Sequence, residues 1–449
     1  MSSFIRAFRT AKDTPDRLTE KAPLAFQKPS TDAHSILVDA GTRFQTIEGF
    51  GGAFTEAGAN TFYKMSPEIR SEIINAYFDP VVGNKYTLCR THINSCDFSL
   101  GNYAYTEMPG DIELKHFSIE RDRHQLIPMI KEAICKVDGT FKLMASPWSP
   151  PAWMKTNGQM NHGGKLKPEY RQTWANYFVR YIQEYENEGI KIWGLTVQNE
   201  PLATQVWDSC IYTGEEERDF VRDYLGPALE QAGLLDRIKL LIWDHNRDML
   251  YERAKVVYDD PAASRFVWGA AFHWYVGDHF DNVRLTHEAY PDKKLLFSEG
   301  CQEGGPHYDD WEVGERYGQS MIHDLNHWTT AWIDWNLLLD QRGGPNHGGN
   351  YCSAPLMADY AKGSLYYHNS YYYIGQVTRF VRPGAQRIIS TSTLDELETA
   401  AFLNPDGQIA VVVLNRADKS FDFAIKYNGQ VAMTESPAHS ISTFCFPSE

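Results

Sequence analysis

Along the first three quarters of the chain, short apolar or β-branched runs alternate with longer stretches in which apolar residues return every three or four positions. Short apolar runs read as strands and the 3.6-residue pattern as amphipathic helices, so the alternation predicts repeated βα units around a parallel sheet. Eight runs qualify, at 47–52, 88–93, 142–145, 193–198, 239–243, 269–273, 295–298 and 330–335. Eight such units predict an α/β fold, a (β/α)8 TIM barrel. Helix signals fill the gaps. Ser66 precedes Pro67 as a capping serine before a first-turn proline, and Thr213 with Glu216 forms a capping box. After Pro168, the residues Trp174, Tyr177, Phe178, Tyr181, Ile182 and Tyr185 fall on one helical face, which reads as core. Glu215, Glu216 and Glu217 sit in a first turn, where the helix dipole favours negative charge, and read as a solvated face.

Beyond residue 336 the pattern changes. A Gly/Pro/Asn-rich loop at 342–350 leads to an aromatic helix expected at 366–380. From 385 onward the runs 387–390, 399–403, 409–415, 421–425 and 440–446 read as strands, separated by turn formers such as Asn404-Pro405-Asp406-Gly407. These predict a small antiparallel β-sandwich attached to the barrel, and the extended-looking stretch 35–39 predicts that the N-terminus contributes to it. The expected organisation is an N-terminal segment 1–43 belonging to the sandwich, a barrel over 44–365, a connecting helix over 366–384, and a C-terminal sandwich over 385–449.

Composition narrows the function classes. The formal net charge of -15 over 449 residues disfavours nucleic acid and anionic surfaces as partners, because no basic patch is segregated from it. No apolar run approaches the roughly 18 residues of a membrane span, so integral membrane association is not expected. The first nine residues lack the continuous apolar segment of a secretory leader. The expected location is the cytoplasm as the sequence stands, and periplasmic or secreted where a leader has been removed. Cys89, Cys96, Cys135, Cys210, Cys301, Cys352 and Cys445 are scattered without a C-x-x-C pair, so free thiols are expected rather than a disulfide framework or zinc knuckle.

In a barrel the chemistry gathers at the carboxyl ends of the strands. There the sequence places Arg90, His92, Asp97, Phe98, Trp148, Asn199, Glu200, Asp244, His245, His273, Trp274, Tyr275, Glu299, Asp334, Trp335 and Asn336. Carboxylates, amides and indoles together suit a sugar, whose hydroxyls need hydrogen-bond partners and whose C–H faces stack on rings. Two glutamates stand out: Glu200, in Asn199-Glu200-Pro201, and Glu299, in Ser298-Glu299-Gly300. Both directly follow candidate strands, the fourth and the seventh, which roughly face each other. Opposed carboxylates can divide the work of breaking a glycosidic bond, one protonating the leaving oxygen and the other attacking the anomeric carbon.

Several stretches carry a more specific resemblance: Glu48-Gly49-Phe50-Gly51-Gly52-Ala53-Phe54-Thr55-Glu56, Ser95-Cys96-Asp97-Phe98-Ser99, Ser146-Pro147-Trp148-Ser149-Pro150-Pro151, Asn199-Glu200-Pro201, His273-Trp274-Tyr275, Ser298-Glu299, Asp334-Trp335-Asn336 and Gly343-Gly344-Pro345-Asn346. Over nearly its whole length the chain resembles the glucosylceramidase family of glycoside hydrolases, family 30. The resemblance implies a barrel with an attached sandwich, Glu200 as acid/base and Glu299 as nucleophile. It implies that Arg90, Asp97, Trp148, Asn199 and Trp335 hold the sugar, with His273 and Tyr275 as neighbours of the nucleophile; Phe98, from the rim, and Asn350, from the glycine-rich loop, are further candidates to face the sugar. Given those roles, Arg90 is expected to keep Glu299 ionised, and Glu200 to have a raised pKa.

Weaker signals have plainer readings. His323 and His327 stand four apart, a spacing that can bind a metal, but no H-E-x-x-H pattern or third ligand accompanies them. No metal or cofactor is expected. Glu303 and His307 follow the seventh strand and are candidates for the leaving-group side. The expected activity is a retaining β-glycoside hydrolase acting on a β-D-glucoside or glucan, with glucosylceramide-type substrates first. β-1,6-Glucanase and β-xylosidase activities are the alternatives on the same core, and a non-catalytic carbohydrate-binding protein is the alternative of another class.

Overall fold

The computed structural model describes residues 4–28 and 34–448; residues 1–3 of the N-terminal run, 29–33 and Glu449 lie outside the described residues. Eight parallel strands close in chain order into a barrel: β1 (Gly49–Phe54), β2 (Leu88–Ile93), β3 (Lys142–Pro147), β4 (Ile192–Thr196), β5 (Lys239–Asn246), β6 (Gly269–His273), β7 (Lys294–Glu299) and β8 (Thr329–Asn336), which pairs back onto β1. Each overlaps one of the eight apolar runs. Alternation of side chains across the strands splits the apolar residues into two sets. Leu88, Met144, Leu241, Ala271, Leu296, Ala331 and Ile333 fill the barrel interior as one cluster. The outward residues join a larger cluster under the helices, which includes the buried aromatic stripe of the helix Arg171–Asn187.

The capping signals hold. The Ser66 hydroxyl accepts from the Ile69 amide at the start of Pro67–Phe78, and Thr213 and Glu216 cap each other's backbone at the start of Gly214–Phe220. The acidic turn is only partly a solvated face. Glu217 is wholly buried, because this helix turns it toward the barrel, where it accepts from the Trp243 amide and pairs with Arg253.

Two irregularities matter for the site. Between β5 and β6 the register steps from Ala271↔Trp243 to Phe272↔His245, leaving Asp244 unpaired; between β6 and β7 it steps over Ser298. Such bulges insert one extra residue and re-aim the side chains that follow. Trp243 and Asp244 both take positive φ, at 72° and 53°, a conformation that non-glycine residues adopt only when their surroundings hold them there.

The second layer is a ten-stranded, curled sheet. Phe4–Ala11 pairs with Ser440–Pro447, and Ser35–Thr46 pairs with Gln386–Ser392. The sheet is antiparallel except where Ser35–Thr46 runs parallel to Phe421–Tyr427. Its own core includes Ile36, Val38, Val411, Val413, Phe423 and Phe444. The strand Gln430–Ser436 has no counterpart in the sequence reading: it ends the sheet, and only Val431, Ala432 and Ser436 are buried. The expected aromatic helix is shorter, Asn369–Thr378, since Tyr366 and Tyr367 pair as the strand Ser364–Tyr367. His323 bonds Glu398 of the sheet and His327 the carbonyl of His323, so neither is arranged as a metal ligand. All seven cysteines are free, and no helix among the described residues is long and apolar enough to cross a membrane.

Barrel closure requires a close approach at Gly51, where a Cβ would lie 1.9 Å from the Leu88 carbonyl oxygen. Gly51→Ala must therefore push β1 off β2. The expected outcome is a loss of at least about 1–3 kcal/mol, the usual cost of overpacking, read as a lower melting temperature. An unchanged melting temperature would show that the seam is not tight there.

Candidate active site

The turn after β4 projects Glu200. Its φ is 47°, held by the hydrogen bonds of its amide to the Asp244 carbonyl and of its own carbonyl to the Ala203 amide. Pro201 reinforces the turn by disfavouring a helical continuation. Glu299 ends β7 on the opposite side, 6 % exposed. One donor oxygen of each glutamate and a ring nitrogen of His273 lie within 4.8 Å of one another.

Arg90, fully buried on β2, organises the floor. Its guanidinium donates to Glu299, to Asn199 at 2.8 Å, to Asp244 at 2.8 Å and to the Ser146 hydroxyl at 3.0 Å. The cation lies 4.8 Å from the Trp148 ring and 5.6 Å from that of Trp335, and the two indoles stack 5.1 Å apart. Bulged Asp244 also accepts from Thr196 and Ser298, both at 2.6 Å, and contacts His273 Nε2 at 3.0 Å. His273 Nδ1 is 3.2 Å from Glu200 Oε1, and the Tyr275 hydroxyl donates to Glu299 Oε1 at 3.0 Å.

The protonation order reverses the expectation. Burial pushes the Glu200 carboxyl up, but the hydrogen bond from His273 and the fields of His245 and His273 outweigh it, leaving Glu200 below the usual carboxylate range. Burial pushes Glu299 up further than His273 and Arg90 pull it down. The cause of the reversal is the placement of His273. Burial alone would keep it neutral, yet Glu299, Asp244 and Glu200 around it raise it to about 9, and its cation faces Glu200 directly. Burial, with Glu299 nearby, also raises Asp97 to about 7, and burial raises Asp334 to about 8.

A cavity of about 250 Å³ opens above this floor, lined by Asp97, Trp148, Asn199, Glu200, Gln205, Trp207, His245, Asn246, Tyr275, Glu299, Cys301, Glu303, Trp335 and Asn350. Larger clefts lie elsewhere, such as one of about 550 Å³ beside Lys85 and Arg382, but they bring no paired carboxylates together. Six of the residues expected to touch a sugar are in the wall, along with both glutamates: Asp97, Trp148, Asn199, Tyr275, Trp335 and Asn350 belong to it, the last from the glycine-rich loop, which Asn346 and His347 tie to Asp97. Arg90, Phe98 and His273 lie behind the wall, fully buried; Phe98 supports Trp335 edge-on at 5.9 Å. His273 contacts the acid/base candidate rather than the nucleophile candidate. His92, Trp274, Asp334 and Asn336 are structural, each hydrogen-bonded within the scaffold. Glu303 reaches the cavity, whereas His307 bonds the Glu303 carbonyl. Gln205, Trp207 and Cys301 escaped the sequence reading, because their loops have no periodicity to mark which side chains turn inward, and Asn246 escaped it because β5 runs on past its bulge to Asn246, beyond the apolar run.

Glu200, His273 and Glu299 are also close enough together to hold a cation. Both ring nitrogens of His273 already face carboxylates and Arg90 pairs with Glu299, so the cluster carries its own counter-charges.

Asp334 gives a test of this buried charge distribution. Its pKa is raised from 3.8 to about 8, so the folded state binds its proton more tightly than the unfolded state, and stability is lost as pH rises between those values. Asp334→Asn removes this term. The melting temperature of the variant relative to wild type is expected to climb from pH 5 to pH 8.5; a difference that stays flat would show that Asp334 ionises normally.

Comparison with known proteins agrees with this geometry. Residues 47–381 match the glycosyl hydrolase family 30 TIM-barrel domain and residues 384–444 the family's beta sandwich domain. The chain is similar to the mouse (Mus musculus) lysosomal acid glucosylceramidase, 37% identical over 422 residues that cover 90% of this chain and 81% of that protein. Among solved structures it is similar to SrfJ from Salmonella typhimurium, with a TM-score of 0.95 and 39% identity over the whole of both chains. It is also similar to the endo-beta1,6-glucanase BT3312, with a TM-score of 0.91 and 29% identity, covering 99% of this chain and 100% of that one. With both domains matched and the paired carboxylates at the barrel mouth, the chain belongs to glycosyl hydrolase family 30 and carries that family's retaining glycoside hydrolase core.

Proposed function

We propose that the enzyme is an exo-acting β-glucosidase whose preferred substrates carry an apolar leaving group, as glucosylceramide does. The observation that carries the reaction is the separation of Glu200 and Glu299, whose nearest donor oxygens lie within 4.8 Å. Retaining enzymes hold their carboxyl groups about 5–5.5 Å apart, and inverting ones about 6.5–9.5 Å to admit a water. Glu299 attacks the anomeric carbon while Glu200 protonates the departing oxygen; Glu200 then activates the water that releases the sugar. Asn199 Oδ1 accepts from Arg90, which leaves the Asn199 amide N–H groups to donate to the sugar 2-hydroxyl, a contact that strengthens as the oxocarbenium-like transition state forms. Tyr275 and Arg90 fix both oxygens of Glu299.

The substrate class is read from the cavity and its rim. A volume of about 250 Å³ falls below the usual 300–1,000 Å³ of ligand pockets, which suits one sugar ring better than a chain of them. Leu202, Val206, Val276 and Tyr351 are 41%, 58%, 50% and 40% exposed, each within a few residues along the chain of a wall residue. A polar pocket inside an apolar rim matches a sugar head on an apolar body. The glucosylceramidase relative is in keeping with this reading. Trp207 and Glu303, on the wall, support a second one in which the leaving group is another sugar, as in a β-1,6-glucan.

A substrate panel separates them: glucosylceramide in micelles, short β-1,6-glucans, an aryl glucoside and an aryl xyloside. Glu299→Gln is expected to abolish turnover of all of them, and Glu200→Gln to cost about 10²–10⁴-fold on substrates with poor leaving groups. NMR is expected to show the β-anomer first. Leu202→Ser with Val206→Ser is expected to lower kcat/KM for glucosylceramide roughly tenfold, the equivalent of about 1.4 kcal/mol of lost apolar contact, with the aryl glucoside unchanged. Preference for β-1,6-glucan over glucosylceramide would favour the second reading, and binding of glucosides without hydrolysis would overturn both.

A further inference from the structure

We propose that His273 is the proton store of Glu200: a buried imidazole that passes its Nδ1 proton to the Glu200 carboxylate when the leaving group enters, and takes one back in the second half of the reaction. The inference rests on the acid/base role proposed for Glu200.

The geometry gives His273 two unequal faces. Nε2 meets Asp244 at 3.0 Å and Nδ1 meets Glu200 at 3.2 Å. Asp244 is wholly buried and also accepts from Arg90, Thr196 and Ser298. With four donors on it, Asp244 stays anionic and holds the Nε2 proton in place. The proton free to move is therefore the one on Nδ1.

The groups facing His273 from every packed strand fix the charge. Arg90 comes from β2, Glu200 from the turn after β4, Asp244 and His245 from β5, and Glu299 from β7. Burial lowers the pKa of His245, as does the neighbouring His273, whereas the carboxylates around His273 raise that of His273. Two cations, Arg90 and His273, then stand against the carboxylates Asp244, Glu200 and Glu299. When Glu299 is ionised, the reactive state, with Glu200 as acid, differs from that arrangement only in the position of one proton along one hydrogen bond. No proton has to come from solvent.

Substrate supplies the trigger. The Glu200 side chain is 15% exposed. Once a leaving group covers it, the ion pair loses its remaining water, and desolvation favours the neutral pair. The Nδ1–H bond breaks and an O–H bond forms on Glu200, leaving a neutral imidazole. That proton goes to the glycosidic oxygen as the C1–O bond breaks and the Glu299–C1 bond forms. In the second half, Glu200 takes a proton from water as its oxygen replaces Glu299 on C1, and the proton returns to Nδ1. The balance is one water consumed.

His273→Asn keeps a hydrogen-bonding group but cannot store a proton. For an alkyl β-glucoside, which needs an acid, kcat/KM is expected to fall about 10²-fold or more, with the basic limb of its pH profile moved to lower pH. For 2,4-dinitrophenyl β-glucoside, which leaves without a proton, kcat/KM is expected to stay within about threefold of wild type on the same argument. Equal losses on both substrates, or an unmoved basic limb, would overturn the proposal in favour of mere support. If the variant does not fold, ¹⁵N NMR of histidine-labelled wild type decides. His273 is expected to be an imidazolium at pH 7 in the free enzyme and neutral when an S-linked alkyl glucoside is bound; a neutral free state, or a cation in both, would overturn it. A wild type inactive toward both glucosides would count against the acid/base reading itself, and the NMR states would still report whether the proton moves.

Discussion

The site depends on one buried guanidinium. Arg90 has no exposed surface, and a charge in that position is tolerated only if its donors are met and its charge is balanced. The barrel meets the demand from several strands at once: Ser146 from β3, Asn199 after β4, Asp244 from β5 and Glu299 from β7. Trp148 and Trp335 cover the cation. Removing either carboxylate would leave uncompensated charge in the interior, which typically costs about 3–5 kcal/mol. The same contacts that make Arg90 tolerable therefore fix the positions of Glu299 and Asn199, and through Asp244 that of His273.

This explains why the barrel is irregular where it is. A regular strand alternates its side chains in and out. The register steps that leave Asp244 and Ser298 unpaired break that alternation at β5 and β7, and the hydroxyl of Ser298 then bonds Asp244 at 2.6 Å. The positive φ values at Glu200 and Asp244 are the backbone expression of the same constraint. Strain gathers around the carboxylates because their positions are set by the cation rather than by the strands that carry them.

Apolar runs made the eight strands legible, since a strand buried on both faces needs a nearly continuous apolar sequence. The two glutamates were legible because each ends such a run. What escaped was whatever depends on which way a chain turns after leaving its strand. Asp244 could be placed on the rim, but its link between Arg90 and His273 follows from a bulge that no sequence period announces. Glu217 reads as one of three similar glutamates, and only packing reveals that it faces inward to Arg253. Gln205 and Trp207 lie in an aperiodic loop. Gln430–Ser436 escaped because an edge strand needs few apolar residues.

The reversed protonation order also follows from the coupling of the carboxylates to one another. Glu299 is the largest influence raising the pKa of His273, and Glu200 in turn raises that of Glu299. In the proposed reaction Glu299 becomes an ester, so its negative charge disappears, and with it the field that favoured protons on its neighbours. Glu200 then holds a proton less tightly than before, which keeps it ionised for the step in which it must accept one from water. A single residue can thus act as acid and then as base because its partner's charge is present in the first half of the reaction and absent in the second. Arg90 keeps the two close enough for that change to be felt.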